Sequence, residues 1–189
     1  MTYQLEQGVE FSHSILANHL QFGDKIVDAT VGNGHDTKFL AELVGKQGQV
    51  WGFDIQEKAL QNTMQRLKEN DIAEIVELIK ASHEKMGNYI EDKVAAILFN
   101  LGYLPGGEKD LTTRAETTLQ AVKEGLDLLK ADGLLLLVIY TGHQQGQRER
   151  DVLIDYAQKL DHRAYNVLHY HFINQVQKPP EVLVIKKRN

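Results

Sequence analysis

Ile26-Val27-Asp28-Ala29-Thr30-Val31-Gly32-Asn33-Gly34-His35-Asp36-Thr37 runs from an apolar strand through a glycine turn into a helix. The glycines lack a β-carbon, so the chain bends sharply there and a ligand can approach the backbone closely. Asp54 ends the next apolar run, twenty residues after Gly34, where a carboxylate can accept hydrogen bonds from both hydroxyls of a ribose. A pyrophosphate-bearing dinucleotide calls for Gly-x-Gly-x-x-Gly, whose third glycine admits the helix close to the sheet. Thr37 stands in that third place, and the acids Asp28 and Asp36 flank the turn and repel an anion. A sulfonium cofactor, cationic at its sulfur and its ammonium group, suits nearby carboxylates and carbonyls. S-adenosyl-L-methionine is therefore the expected cofactor in preference to a nicotinamide dinucleotide. Gly32, Asn33, Gly34, Asp36, Thr37 and Asp54 are candidate cofactor residues, and Asn100, at the end of a later strand, is another. Asp28 reads either as a further one or as a structural cap.

On both sides of this turn apolar runs alternate with helix-like segments, the pattern of a mostly parallel α/β sheet. Strands are predicted over residues 25–30, 49–54, 74–79, 93–100, 133–140, 167–174 and 181–187, and helices over 11–20, 35–44, 57–69, 112–129 and 149–160. Ser12 is a candidate cap for the first helix. The last two strands leave no room for a helix between them and are joined through Pro179-Pro180, so an antiparallel hairpin is expected. A parallel sheet of seven strands ending in such a hairpin resembles the Rossmann-like fold of the class I methyltransferases. A plain dinucleotide-binding domain would continue with another crossover helix.

A chain of 189 residues is long enough for one domain with a substantial core, and residues 1–189 are read as a single domain. The composition, 42% hydrophobic and 25% charged, is that of a globular protein. There is no cysteine, which excludes a disulfide framework, a thiolate metal site and a cysteine nucleophile. No signal peptide or membrane span is expected, and a cytoplasmic location is. A net charge of −5 argues against a generally basic nucleic-acid binder, leaving local basic candidates at Lys109, Arg114, Arg148, Arg150 and Lys186-Lys187-Arg188.

The fourth predicted strand exits through Asn100 into Leu101-Gly102-Tyr103-Leu104-Pro105-Gly106-Gly107, at the end of the sheet where ligands bind in this fold. The tetrad Asn100-Leu101-Gly102-Tyr103 resembles a relaxed form of the Asn-Pro-Pro-Tyr motif of amino methyltransferases. An Asn carbonyl can accept the hydrogens of an amine and aim its lone pair, and an aromatic ring can stack on a base turned out of its helix. Proximity then supplies much of the rate. His143, at the next strand exit, is a candidate catalytic base or phosphate ligand. Glu149 reads as a partner for an incoming amine or a helix cap, and Asn174 and Gln175 as candidates for the cleft rim. Ser82 and His83 follow the third strand, beside the expected adenine, and Ser82 doubles as a candidate helix cap. His169 and His171 alternate on one strand face without a carboxylate at ligand spacing, so they read as structural and no metal is expected.

These segments, together with Gly52-Phe53-Asp54-Ile55-Gln56 and Tyr140-Thr141-Gly142-His143 through Gly146 and Glu149, resemble the bacterial rRNA methylase family. Its members are associated with methylation of wobble uridine in tRNA, converting 5-aminomethyl-2-thiouridine to 5-methylaminomethyl-2-thiouridine. The resemblance implies an S-adenosylmethionine-dependent N-methyltransferase with the tRNA anticodon arm as partner. It implies a cofactor site lined by Asp28, Gly32, Asn33, Asp54, Gln56, Ser82 and His83, with Asn100 and Tyr103 facing the amine. Asp28 stands four residues before Gly32, where the wider motif has its acid two before the first glycine, so direct and water-mediated contact both remain open. Methylation of an rRNA base or of a small amine are the alternative activities, a non-catalytic RNA-binding module is a further one, and a homodimer is a candidate assembly.

Overall fold

The computed structural model describes residues 5–102 and 113–189. Tyr103 through Gly107, Lys109 and the predicted helix start at residue 112 lie outside them. Strands β1 (Lys25–Asp28), β2 (Gln49–Asp54), β3 (Val76–Lys80), β4 (Val94–Asn100), β5 (Leu129–Ile139), β6 (Tyr165–Tyr170) and β7 (Glu181–Lys187) form one seven-stranded sheet of order β3-β2-β1-β4-β5-β7-β6. The first five pair in parallel, and β7 runs antiparallel to both β5 and β6. The α/β fold with its closing hairpin is as the sequence predicts.

Helices α1 (Gly8–His19), α2 (His35–Val44), α3 (Glu57–Glu69), α4 (Ala115–Leu128) and α5 (Gln144–Ala157) cover the sheet. Covering both faces buries the central strands whole, which is why they are continuous apolar runs and do not alternate. From Val94 to Phe99 every residue of β4 is buried. Ile97, Phe99, Leu135 and Leu137 enter one apolar layer, Leu98, Leu134, Leu136 and Val138 the other. The order of strands reverses between β1 and β4, so their carboxyl ends part and leave a crevice. Among the described residues no helix is long and apolar enough to cross a membrane.

Several element ends differ from expectation. Ser12 lies inside α1, its hydroxyl donating to the Val9 carbonyl at 2.7 Å, and Gln7 occupies the cap position. A turn of 3-10 helix takes up Ala73–Ile75, so β3 starts later, at Val76. β5 begins at Leu129, four residues early, and passes through Asp132 at φ +66°, with a register irregularity against β4. β6 ends at Tyr170, and Asn174 lies in the exposed connection beyond it. α5 begins at Gln144, five residues before Glu149, because the His143 ring caps it.

Candidate active site

A cavity of about 600 Å³ opens at the crevice between β1 and β4, within the range of about 300–1,000 Å³ usual for small-ligand sites. Its floor is the glycine turn. Gly34 caps α2 in the left-handed region at φ +77°, a conformation that favours glycine. A β-carbon at Gly34 would stand 2.6 Å from the Thr63 side chain, whose hydroxyl donates to the Gly32 carbonyl at 3.1 Å. Gly34→Ala is therefore expected to lower stability by about 1–3 kcal/mol, read as a drop in melting temperature with weakened cofactor binding. An unchanged melting curve would contradict the close approach.

Asp54 joins the turn to β2. Its Oδ2 accepts from the Gly32 N–H at 2.9 Å and its Oδ1 from the Gln56 N–H at 2.8 Å. Each oxygen retains a lone pair on the cavity side for a further donor. Gln56, Ile55, Phe53, Ala81, Ser82 and His83 continue the wall. The Ser82 side chain caps no helix. His83 Nδ1 meets the Ala29 carbonyl at 3.3 Å and so carries the proton, while burial pushes the imidazole below its ordinary value. The neutral ring presents Nε2 as an acceptor, buried and without a partner among the described residues. Ile55, half exposed at the wall, was not singled out in the sequence; its signal is a lone apolar residue just past a strand-ending acid.

Asp28, Gly34 and Thr37 do not line the cavity. Asp28 lies beneath the turn, where its carboxyl accepts from the Thr30 N–H at 3.1 Å and the Thr37 hydroxyl at 2.6 Å. It ties β1 to α2, so the structural reading of this residue is the one its contacts support. Burial, reinforced by the Asp36 carboxylate and opposed by those two hydrogen bonds, pushes its carboxyl from 3.8 up to about 7. A raised folded-state value means that the folded chain holds this proton more tightly. The stability it contributes is present below pH 3.8 and is lost as pH rises towards 7. In paired melts from pH 4 to 8, Asp28→Asn is expected to gain on the wild type as pH rises; the opposite slope would contradict the burial.

Asn100 ends β4 at the cavity. Its backbone N–H donates to the Thr30 hydroxyl at 2.7 Å and its side-chain Nδ2 to Asp36 Oδ2 at 2.9 Å. Asp36 only accepts, so the amide nitrogen must face it and the amide oxygen faces away. The other Asp36 oxygen meets His13 Nε2 at 2.8 Å, and the His13 ring stacks on Phe39 at 3.9 Å. Burial acts to raise the Asp36 carboxyl, but the hydrogen bonds from His13 and Asn100 outweigh it and hold the group below its ordinary value. His13, on α1, is a supporting residue the sequence did not signal, since nothing local distinguishes it.

On the far wall stand Tyr140, His143, Thr113, Arg114 and Thr117. His143 Nδ1 accepts from the Gly146 N–H at 3.1 Å, so the proton of the neutral ring sits on Nε2. Protonating Nδ1 would cost the helix cap, which counts against a general base and suits a donor to an oxygen. Glu149 neither caps α5 nor faces the cavity. It is buried, accepting from the Thr118 hydroxyl at 2.6 Å and the Thr113 hydroxyl at 2.9 Å, and burial raises its carboxyl. Thr113 in turn accepts from the Gly102 N–H at 3.1 Å, and its own N–H donates to the Gly102 carbonyl at 3.2 Å. Glu149 thus anchors the clasp just after Asn100. Asn174 and Gln175 are exposed and off the cavity wall.

Of the described basic candidates, Arg148, Arg150 and Lys186 pair with Glu116, Asp151 and Asp132. Lys187 and Arg188 donate to backbone carbonyls. Arg114, exposed at the cavity mouth, lines it.

A sheet of this order, with a glycine turn after β1 and a carboxylate ending β2, defines a class I S-adenosylmethionine-dependent methyltransferase. The chain belongs to the family described as "Putative rRNA methylase", whose model matches residues 50–186. The Clostridium thermocellum protein of the same description is 40% identical, and its crystal structure superposes with a TM-score of 0.96 over 98% of this chain and 100% of that one. A Streptococcus mutans protein crystallised with SAH is 34% identical, with a TM-score of 0.89 over 97% of this chain and 99% of that one. The chloroplastic tRNA (mnm(5)s(2)U34)-methyltransferase of Arabidopsis thaliana is 34% identical over 194 residues, covering 97% of this chain and 71% of the plant protein.

Proposed function

We infer that this enzyme methylates the primary amine of 5-aminomethyl-2-thiouridine at the wobble position of tRNA, giving 5-methylaminomethyl-2-thiouridine. The observation that carries the reading is the Asn100 amide, whose nitrogen is committed to Asp36 and whose oxygen is left to accept an amine hydrogen at the carboxyl end of the central strand. The name of the plant relative supports the same substrate.

The cavity fits S-adenosylmethionine by the chemistry of its donors and acceptors. Asp54 has lone pairs left for the two ribose hydroxyls, and the unpartnered His83 Nε2 suits the exocyclic amino group of adenine. Ile55 and Ala81 offer apolar surface to the ring, and the ionised Asp36 attracts cations. Bound there, the cofactor supplies a methyl group on a sulfonium, a strong electrophile.

The residues of this chain then orient the substrate. Asn100 aims the nitrogen lone pair and holds the amine in line for transfer. Transfer makes one N–C bond and breaks one C–S bond, and the amine sheds one proton to bulk water. Arg114, exposed at the mouth, is placed to meet a backbone phosphate of the RNA, whereas His143 Nε2 is buried and has no partner among the described residues. On this reading the anticodon arm is the partner and the cytoplasm the place of action.

The test is incubation with tRNA lacking this methyl group and labelled cofactor, followed by nucleoside mass spectrometry. Label in 5-methylaminomethyl-2-thiouridine is expected. Label confined to rRNA or to a small amine would overturn the substrate assignment.

A further inference from the structure

We propose that His169, His171 and Glu181 form a binding site for a transition-metal ion such as Zn²⁺ on the β6–β7 hairpin, separate from the methyl-transfer cavity. His169 pairs in register with Leu183 and Tyr170 with Val182, and continuing that register one residue past the end of β6 brings His171 opposite Glu181. Alternation along the strands then puts all three side chains on one face of the sheet. Their candidate ligand atoms lie within 4.8 Å of one another. His169 Nε2 already meets Glu181 Oε2 at 2.8 Å, and the two imidazole rings stand 4.5 Å apart, tilted by 30°.

Two imidazoles and one carboxylate are the donor set of a borderline metal ion, with Zn–N and Zn–O distances of about 2.0–2.2 Å and a fourth position left to water. Tetrahedral bonds of that length separate ligand atoms by about 3.4 Å. The cluster reaches this when the exposed His171 ring swings inward and the His169–Glu181 contact opens slightly around the ion. His169 and Glu181 are each about a quarter exposed or less (side-chain exposures of 26% and 15%), so two of the three ligands are held by the sheet before any ion arrives. None of the three lines the methyl-transfer cavity.

Such an ion would pin the far end of the hairpin, where the chain leaves β6 for the exposed connection into β7. Glu181 pairs with Ile139 of β5, one residue before Tyr140 on the cavity wall, so the pin lies next to the substrate side of the sheet. Its role here is structural, adding a cross-link to two strands already joined by ladder hydrogen bonds and by the His169–Glu181 contact.

The experiment uses untagged, chelator-stripped protein titrated with Co²⁺ and then Zn²⁺. One Co²⁺ per chain with a visible d–d absorption, displaced by Zn²⁺, is expected, together with a Zn²⁺-dependent rise in melting temperature. His171→Ala, at an exposed position, and the near-isosteric Glu181→Gln should each weaken binding by at least about tenfold and abolish the rise. No saturable uptake at micromolar metal, or uptake equal in wild type and both variants, would overturn the site. Methyl transfer by the metal-free protein is measured alongside, so failure of this proposal and failure of the substrate reading are told apart.

Discussion

Asp54→Ala is expected to weaken S-adenosylmethionine binding by about 100-fold or more, measured by calorimetry on the purified protein. Two losses combine. Hydrogen bonds to a charged acceptor contribute about 1.5–3 kcal/mol each, so removing the partner of two ribose hydroxyls costs about 3 kcal/mol or more. The same carboxylate also holds the Gly32 and Gln56 N–H groups, so alanine frees the glycine turn and the start of α3 from β2. Asp54→Asn separates the two contributions. Its amide keeps one oxygen acceptor but turns an N–H₂ toward one donor, and an intermediate affinity is expected. Wild-type affinity in Asp54→Ala would remove this residue from the cofactor site, and tight NAD binding by the wild type would sink the cofactor assignment itself.

Asp54 and the glycine turn are legible in the sequence because their geometry is local. A strand, a turn that needs residues without a β-carbon and a following helix occupy twelve consecutive residues, and the acid sits one strand further on. The sheet is legible for a related reason, since strands buried on both faces must be apolar throughout. The hairpin follows from the short spacing around Pro179-Pro180.

What the sequence conceals is which of several nearby polar groups faces the ligand. Asp28 and Asp36 look alike in the chain, yet Asp28 is sealed under the turn by Thr30 and Thr37 while Asp36 stands at the cavity. The choice depends on how α2 leaves the turn, a rotation that spacing alone does not encode. His13 reaches Asp36 from 23 residues away, and Thr113 and Thr118 reach Glu149 from 36 and 31. His143 reads as a catalytic histidine because it ends a loop at the cleft, but its Nδ1 is spent on the cap of α5. Glu181 completes a metal-ligand set with His169 and His171 only because the hairpin register sets it across from them, whereas the sequence shows two histidines and no carboxylate near them.

Asn100→Ala is expected to lower kcat by about 100- to 1,000-fold, the loss typical for one preorganised polar group at a reacting centre, while the dissociation constant for S-adenosylmethionine stays near the wild-type value. The separation follows from the geometry. The backbone N–H of residue 100 still donates to the Thr30 hydroxyl, so the end of β4 and the turn beside it keep their positions. Asp36 loses one hydrogen bond but keeps His13, and water in the cleft can replace the missing N–H. What alanine cannot replace is an oxygen that accepts an amine hydrogen and sets the direction of the lone pair. Because this contact is needed to align the transfer and adds little to holding the RNA, the effect should appear in kcat more than in KM. His13→Ala should act on the same amide from one residue further away. It frees Asp36 to shift, so a smaller fall in kcat is expected, together with some loss of affinity for the cationic cofactor that Asp36 attracts. Single-turnover assays on saturated enzyme distinguish this from slow product release. A full rate of methyl transfer in Asn100→Ala would mean that the amine is aligned by other groups, and the reading built on the strand-four amide would fall with it.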